Sequence, residues 1–201
     1  NEYISIIIKS TVVPGTTDTF VKKILEQESG KSLGDFGLGM NPEFLREGNA
    51  IEDFQFPDRI VLGYEDVKTF DILNAIYEPW TCEKVQVNTR SAEMMKYVNN
   101  ALLATLISTI NEYSNIARAI GNIDFEKVMQ GVHLDNRWSP LDEAGQKIKP
   151  QIINYLKPGC GYGGSCFPKD VMAISALAED VGVSSRILSA VIAAVSYTHL
   201  R

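Results

Sequence analysis

Residues Ser91 to Ile120 carry one continuous helical pattern, and it limits the fold more than any other stretch of the chain. Met95, Val98, Leu102, Leu106, Thr109, Tyr113, Ala117 and Ile120 recur at steps of three or four, and Gly121 is placed to end the helix. At 1.5 Å per residue such a rod is roughly 45 Å long. That length suits a spine between two domains, and the recurring stripe is expected to pack as core. The residues before and after this helix differ in kind.

Ahead of it, short β-branched runs alternate with helical stretches. The run Tyr3 to Ile8 reads as a buried parallel strand. "TVVPGTT" breaks it, and Thr16 or Thr17 is expected to cap a helix that runs through Leu25 and ends near Gly30. "FGLGMNPEFLREG" begins as a strand and becomes a turn-rich loop. "RIVLGY" is a further strand, a helix follows from about Asp66 to Tyr77, and "KVQVNT" is a strand again. This alternation indicates a parallel sheet with helices packed on it. Beyond Gly121 the helical segments are Phe125 to Val132, about Asp170 to Val181, and Ser185 to Val195, with "HLDNRWSPLDEAGQKIKP" as an exposed connection.

The expected fold class is therefore α/β. Residues 1–88 form the C-terminal part of a doubly wound parallel-sheet nucleotide domain, and residues 89–195 form the long helix and a mostly α-helical central domain. Both ends read as cut. Residues 196–201, "SYTHLR", leave the alanine-rich periodicity before them and are expected to be a non-native tail.

A formal net charge of −6 argues against a nucleic-acid partner, so an anionic small ligand would need a local cluster of lysines. No apolar run approaches a membrane span, and no secretory signal is legible at Asn1. Cys82, Cys160 and Cys166 are odd in number and form no C-x-x-C pair. This disfavours a disulfide framework and a metal site, and fits a reducing, cytoplasmic setting.

The stretch "GYGGSCFPKD", Gly161 to Asp170, sets Cys166 in a glycine-rich turn. Glycine lets backbone and ligand come close. Pro168 suits the first turn of the helix that follows, with Lys169 three residues on from the thiol. A helix N-terminus and a nearby ammonium both stabilise a thiolate. The bland reading is a packing cysteine. Lys96 and Asn100 share a helix face beside the apolar stripe, a spacing that by itself fits a solvated surface better than a site. Glu43 and Glu47 lie four apart on a loop bounded by proline and glycine. They can supply a general base or position a water, or can be two solvated acids. Ser10 and Thr11 end a strand where a doubly wound sheet meets its ligand, although ordinary turn chemistry also explains them. The G-x-G-x-x-G turn that opens such a domain after its first strand is absent.

"STVVPGTT", "NPEFLREG", "AEMMKYVNNALLA" and "GYGGSCFPKD", in that order, resemble the UDP-glucose/GDP-mannose dehydrogenase family over nearly the whole chain to Val195. "SCFPKD" is closer to the UDP-glucose branch. The resemblance implies NAD as cofactor, a UDP-sugar as substrate and a homodimer formed through the central helix. It implies Cys166 as nucleophile, with Lys96 and Asn100 holding the sugar oxygen. Asp170 would assist through a water or the lysine, and Glu47 would serve in acid–base or water activation. Thr11, Glu47 and Lys169 match cofactor-contacting positions. Glu43, Phe44, Leu45, Arg46, Glu47, Lys96, Asn100, Tyr155, Leu156, Lys157, Pro158, Gly159 and Gly163 match positions lining the sugar nucleotide. One departure stands out. The family often has arginine, isoleucine and glycine ahead of the Tyr155 position, and this chain has Pro150, Gln151 and Ile152, with Lys147 or Lys149 as substitutes for the arginine.

The implied reaction is a four-electron oxidation of the sugar C6 alcohol to a carboxylate. It passes through a thiohemiacetal and a thioester on Cys166, and the chain alone is expected to be inactive. Three alternatives remain open at this stage. A β-hydroxyacid-type dehydrogenase shares the Lys-x-x-x-Asn helix but transfers one hydride. A cysteine hydrolase would draw its base from His133 or His199. A non-catalytic assembly module would use the long helix to dimerise.

Overall fold

A computed structural model of the chain describes residues 3–198, with side chains through Val195. The chain divides into two compact units, Asn1–Val98 and Asn99–Arg201, so the division falls inside the long helix.

The first unit is built on four strands, β1 (Ser5–Ile8), β2 (Gly37–Met40), β3 (Arg59–Tyr64) and β4 (Glu83–Val87), in the order β1-β2-β3-β4. β1 pairs parallel with β2 from Ser5 opposite Gly37 to Ile8 opposite Met40, and β3 pairs parallel with β4 from Arg59 opposite Glu83 to Gly63 opposite Val87. The central pairing is antiparallel, with Gly39 opposite Tyr64 and Met40 opposite Gly63. The expected parallel pairing thus holds for β1 with β2 and β3 with β4, and the central pair alone departs from it. The only helix between β2 and β3 is α2 (Ala50–Gln55). Six helical residues span about 9 Å, shorter than strands of four to six residues at about 3.3 Å each, so α2 is too short to serve as the crossover helix of a parallel pair.

Alternate residues of β3 supply both faces of this sheet. Val61 packs with Met40 and Ala92, and Ile8, Val12, Phe44 and Met95 close around them. Ile60 and Leu62 pack with Leu73 of α3 (Val67–Ile76) on the other face. A Cβ on Gly63 would meet the Ala92 Cβ at 2.7 Å and the Met40 carbonyl oxygen at 2.8 Å, so this close approach requires glycine. Helix α1 (Lys22–Ser29) is preceded by a π-helical turn, Thr16–Val21, and ends at Gly30 with φ 66°. The expected threonine cap is not formed. Gly15 takes that position at φ 94°, while Thr16 Oγ1 donates to the Val13 carbonyl and Thr17 Oγ1 to Glu93.

Helix α4 (Thr89–Ile120) is the predicted long helix. Its buried face matches the predicted stripe only in part: Ala117 is buried, and Met95 and Leu106 pack against core clusters. Val98, Leu102, Tyr113 and Ile120 of the apolar stripe are 42–69% exposed, whereas Ala92, Glu93, Lys96, Tyr97, Asn100, Ala101, Ala104, Ser108 and Asn111 are buried. Four alanines lie on the inward face together with Tyr97 and Ile110, and their small side chains admit close neighbours.

In the second unit α5 (Phe125–His133), α6 (Cys166–Asp180) and α7 (Arg186–Thr198) join the later part of α4. Ala101, Ala104, Tyr162, Val171 and Val191 form one core cluster, and Ile110, Met129 and Leu156 another. Residues Ser196 to Thr198 of the supposed tail continue α7, and residues 199–201, His199 included, lie outside the described ones.

Candidate functional site

In the first unit, chemistry gathers where β1 and β2 end. Lys9 Nζ donates to Asn41 Oδ1 at 2.6 Å, and Asn41 Nδ2 donates to the Val61 carbonyl at 2.8 Å, which ties the ends of β1 and β2 to the interior of β3. Ser10 and Thr11 follow directly, Ser10 exposed and Thr11 half-buried. From Asn41 the chain enters the "NPEFLREG" loop. Lys96 of α4, 4% exposed, reaches it and donates to the Glu43 carbonyl at 2.6 Å and to Glu43 Oε1 at 3.3 Å. Two cations approach the Phe44 ring, with the Arg59 guanidinium 4.1 Å and the Lys96 ammonium 5.3 Å from its centre. The Leu45 N–H donates to Glu43 Oε2 at 2.8 Å, Arg46 pairs with Asp53 at 2.5 Å, and Glu47 is exposed.

Lys96 and Glu43 are therefore neither a solvated helix face nor a solvated loop acid. The apolar face next to Lys96 turned outward instead, which left the lysine inside. Burying an ammonium is costly unless it is paired, and the loop carbonyl and carboxylate supply the partners.

The second unit holds a separate set. Cys166 is exposed and is the first residue of α6, one position inside the helix that it was expected to precede. Ser165 Oγ lies 3.8 Å from its sulfur. Gly161 and Gly164 adopt φ of 87° and 73°, which lets the chain turn tightly into α6. One helical turn after the thiol, Asp170 is 1% exposed. Asn100 Nδ2 donates to its Oδ2 at 2.6 Å, and Lys169 Nζ reaches its Oδ1 at 2.5 Å. Lys169 thus directs its ammonium at Asp170. The segment from Tyr155 to Gly159 leaves a 3-10 turn, Gln151–Tyr155. Leu156 is 1% exposed and spends its side chain in the core with Ile110 and Met129, while Lys157, Pro158, Gly159 and Gly163 are exposed.

Two buried groups were not anticipated. Glu93 binds the "VPGTT" turn, and Asn111 Oδ1 accepts from the Gly159 N–H at 2.8 Å. Glu93 lies three residues before Lys96 and Asn111 eleven after Asn100, positions whose spacing reports a shared helix but not what it faces. Gly159, Gly161 and Gly164 satisfy G-x-G-x-x-G literally, but a 3-10 turn and loop precede them, not a strand. Lys147, a candidate for the missing arginine's role, donates to the Leu134 and Ser139 carbonyls of its own connection. Burial and the charge of Lys149 hold the His133 imidazole below its ordinary value. Among the described residues no cluster of His, Cys, Asp and Glu is arranged to hold a metal, and no helix is long and apolar enough to cross a membrane.

Two family models match the chain. Residues 1–81 match the NAD binding domain of the UDP-glucose/GDP-mannose dehydrogenase family, and residues 90–195 match its central domain. A UDP-glucose 6-dehydrogenase of Rickettsia bellii is 40% identical over 190 residues, covering 93% of this chain and 39% of that protein. A GDP-mannose 6-dehydrogenase of Pseudomonas putida is 40% identical over 185 residues, covering 92% and 40%. The solved structure of a UDP-glucose dehydrogenase from Pyrobaculum islandicum superposes with a TM-score of 0.84 at 37% identity, covering 97% of this chain and 42% of that one. The chain spans about two fifths of the length of the curated relatives it matches.

Proposed function

The chain belongs to the UDP-glucose/GDP-mannose dehydrogenase family, and from that premise we propose that its full-length enzyme oxidises the C6 alcohol of UDP-glucose to a carboxylate with NAD. The observation that carries this reading is the exposed Cys166 at the start of α6, one turn from a buried Asp170 held by Asn100 and Lys169. A hydroxyl-to-aldehyde oxidation needs no thiol. A thiol becomes useful when an aldehyde must be carried on to an acid.

The ends of β1 and β2 fit a dinucleotide, because parallel strands open there into a ligand crevice and Thr11 follows β1. Thr11, Glu47 and Lys169 are the residues that would hold it. When bound, NAD takes the hydride released in each of the two oxidations. Lys96 and Asn100 donate to the sugar oxygen and stabilise its negative charge. After the first oxidation the Cys166 sulfur adds to the aldehyde carbon, and the carbonyl oxygen gains a proton, giving a thiohemiacetal. Loss of the second hydride and that proton leaves a thioester. Water adds to its carbonyl, the carbon–sulfur bond breaks, and acid and thiol are released. Asp170 and Glu47 accept and return protons in these steps. Glu43 to Arg46, Tyr155 to Gly159 and Gly163 line the nucleotide sugar in this reading. For Leu156 the contribution is its backbone, since its side chain is core.

The outward apolar face of α4, with Val98, Leu102, Tyr113 and Ile120, supports a homodimer formed through that helix. A cytoplasmic setting suits the nucleotide substrates and the reduced thiols. Counting NADH per sugar consumed tests the reading. Two per UDP-glucose, with UDP-glucuronate released, is the expected outcome. One per substrate would favour the single-hydride β-hydroxyacid reaction, and preference for GDP-mannose would move the chain to the other branch.

A further inference from the structure

Glu93 is wholly buried. Its carboxylate accepts from the Gly15 N–H at 2.6 Å, the Thr17 N–H at 2.9 Å and the Thr17 hydroxyl at 2.6 Å. These donors belong to one turn, the stretch between Thr11 and α1. Backbone N–H groups converging on a carboxylate are strong, charge-assisted bonds, and they fix backbone rather than a mobile side chain. Neighbouring residues of α4 grip the same turn. Val12 packs in the cluster that contains Ala92, and Arg90 pairs with Asp18 at 2.5 Å. One turn further along, Lys96 holds the backbone of the "NPEFLREG" loop through the Glu43 carbonyl. A single stretch of helix, Arg90 to Lys96, therefore sets both loops that follow the parallel pair β1 and β2.

We propose that Glu93 is a positioning residue for NAD: it holds the Gly15–Thr17 turn, and through it Thr11, in the conformation that receives the cofactor, without touching cofactor or substrate. This rests on the reading of the β1 end as the dinucleotide crevice. The donors need an acceptor with two oxygens in this place. A glutamine keeps the size but offers one oxygen, and presents an N–H₂ group to the remaining donor.

The test uses Glu93→Gln, Thr17→Val and Arg90→Ala in the full-length enzyme. Glu93→Gln is expected to raise the KM for NAD by about tenfold, the loss of a hydrogen bond to a charged group, with the KM for the nucleotide sugar within about twofold. Thr17→Val, which loses only the hydroxyl, is expected to raise it less. Arg90→Ala, which removes only an exposed ion pair of the same grip, is expected to raise the KM for NAD less than either, by about twofold or less, and to leave the KM for the nucleotide sugar unchanged. NAD binding is also titrated by protein fluorescence without any sugar. That arm keeps its meaning if UDP-glucose proves not to be the substrate, so failure of the substrate reading and failure of this one are told apart. A folded Glu93→Gln enzyme with unchanged NAD affinity overturns the proposal. So does an equal rise in both KM values, which marks general loosening. If Glu93→Gln does not fold, Thr17→Val decides, and unchanged NAD affinity there overturns it as well.

Discussion

Lys96→Met separates what the buried ammonium does for the fold from what it does for the reaction. The side chain is 6% exposed, and methionine matches its reach without the charge. The variant loses the bond to the Glu43 carbonyl at 2.6 Å, worth about 1.5–3 kcal/mol as a charged-donor bond. It loses the 3.3 Å contact with a carboxylate that is 35% exposed, worth about 0–1 kcal/mol. The cation 5.3 Å from the Phe44 ring adds about 0.5–2 kcal/mol. Against these losses stands the relief of holding an ammonium out of water, several kcal/mol by itself. The terms nearly offset, and the expected change in stability is within about 2 kcal/mol. The expected change in turnover is much larger. A donor aimed at a developing oxyanion is worth about 10²–10³ in kcat. Urea melts of the full-length enzyme give the first quantity, and steady-state kinetics at saturating sugar and NAD give the second. A kcat within about tenfold of wild type, or a stability loss above about 4 kcal/mol, would refute the reasoning and make Lys96 a structural residue.

Cys166→Ser is expected to stop release of the acid while nucleotide-sugar binding persists, because a serine hydroxyl is a far poorer nucleophile than a thiolate; wild-type UDP-glucuronate formation would remove Cys166 from the mechanism, and mass spectrometry reports any adduct on the serine. Gly63→Ala is expected to cost about 1–3 kcal/mol in urea melts, since its Cβ would sit 2.7 Å from that of Ala92; an unchanged midpoint would mean that the sheet and the start of α4 are not this close. Burial and Lys149 lower the folded-state pKa of His133, so the unfolded chain takes up the proton first as pH falls. Stability from this group is therefore constant above about pH 6.5 and declines below it, and His133→Gln should flatten the midpoint between about pH 7 and pH 5.

Much of this protein was legible in the order of its residues. The four strands, the helix end at Gly30, the start of α3 near Asp66, the length of α4 and the glycine turn into α6 all depend on neighbours a few positions away. Local rules act at that range, and so the motif that carries Cys166 could be placed at a helix start without coordinates. What the sequence could not decide was which surfaces would meet. Periodicity marks a face of α4 as apolar, but most of the inward positions lie off it: Ala92 packs against the sheet within the first unit, and Ala101 and Ala104 pack with Val171 of α6 within the second. That choice buried Lys96, Asn100 and Glu93, and each then required a partner far along the chain. Asn100 found Asp170 seventy residues away, and Glu93 found Thr17 seventy-six residues away. The antiparallel pairing of β2 and β3 has the same origin, since strand direction follows from where a connection can run and not from the composition of the strands. Local sequence determines the elements and their chemistry, while the pairing of buried charges is settled only when packing removes the water that would otherwise satisfy them.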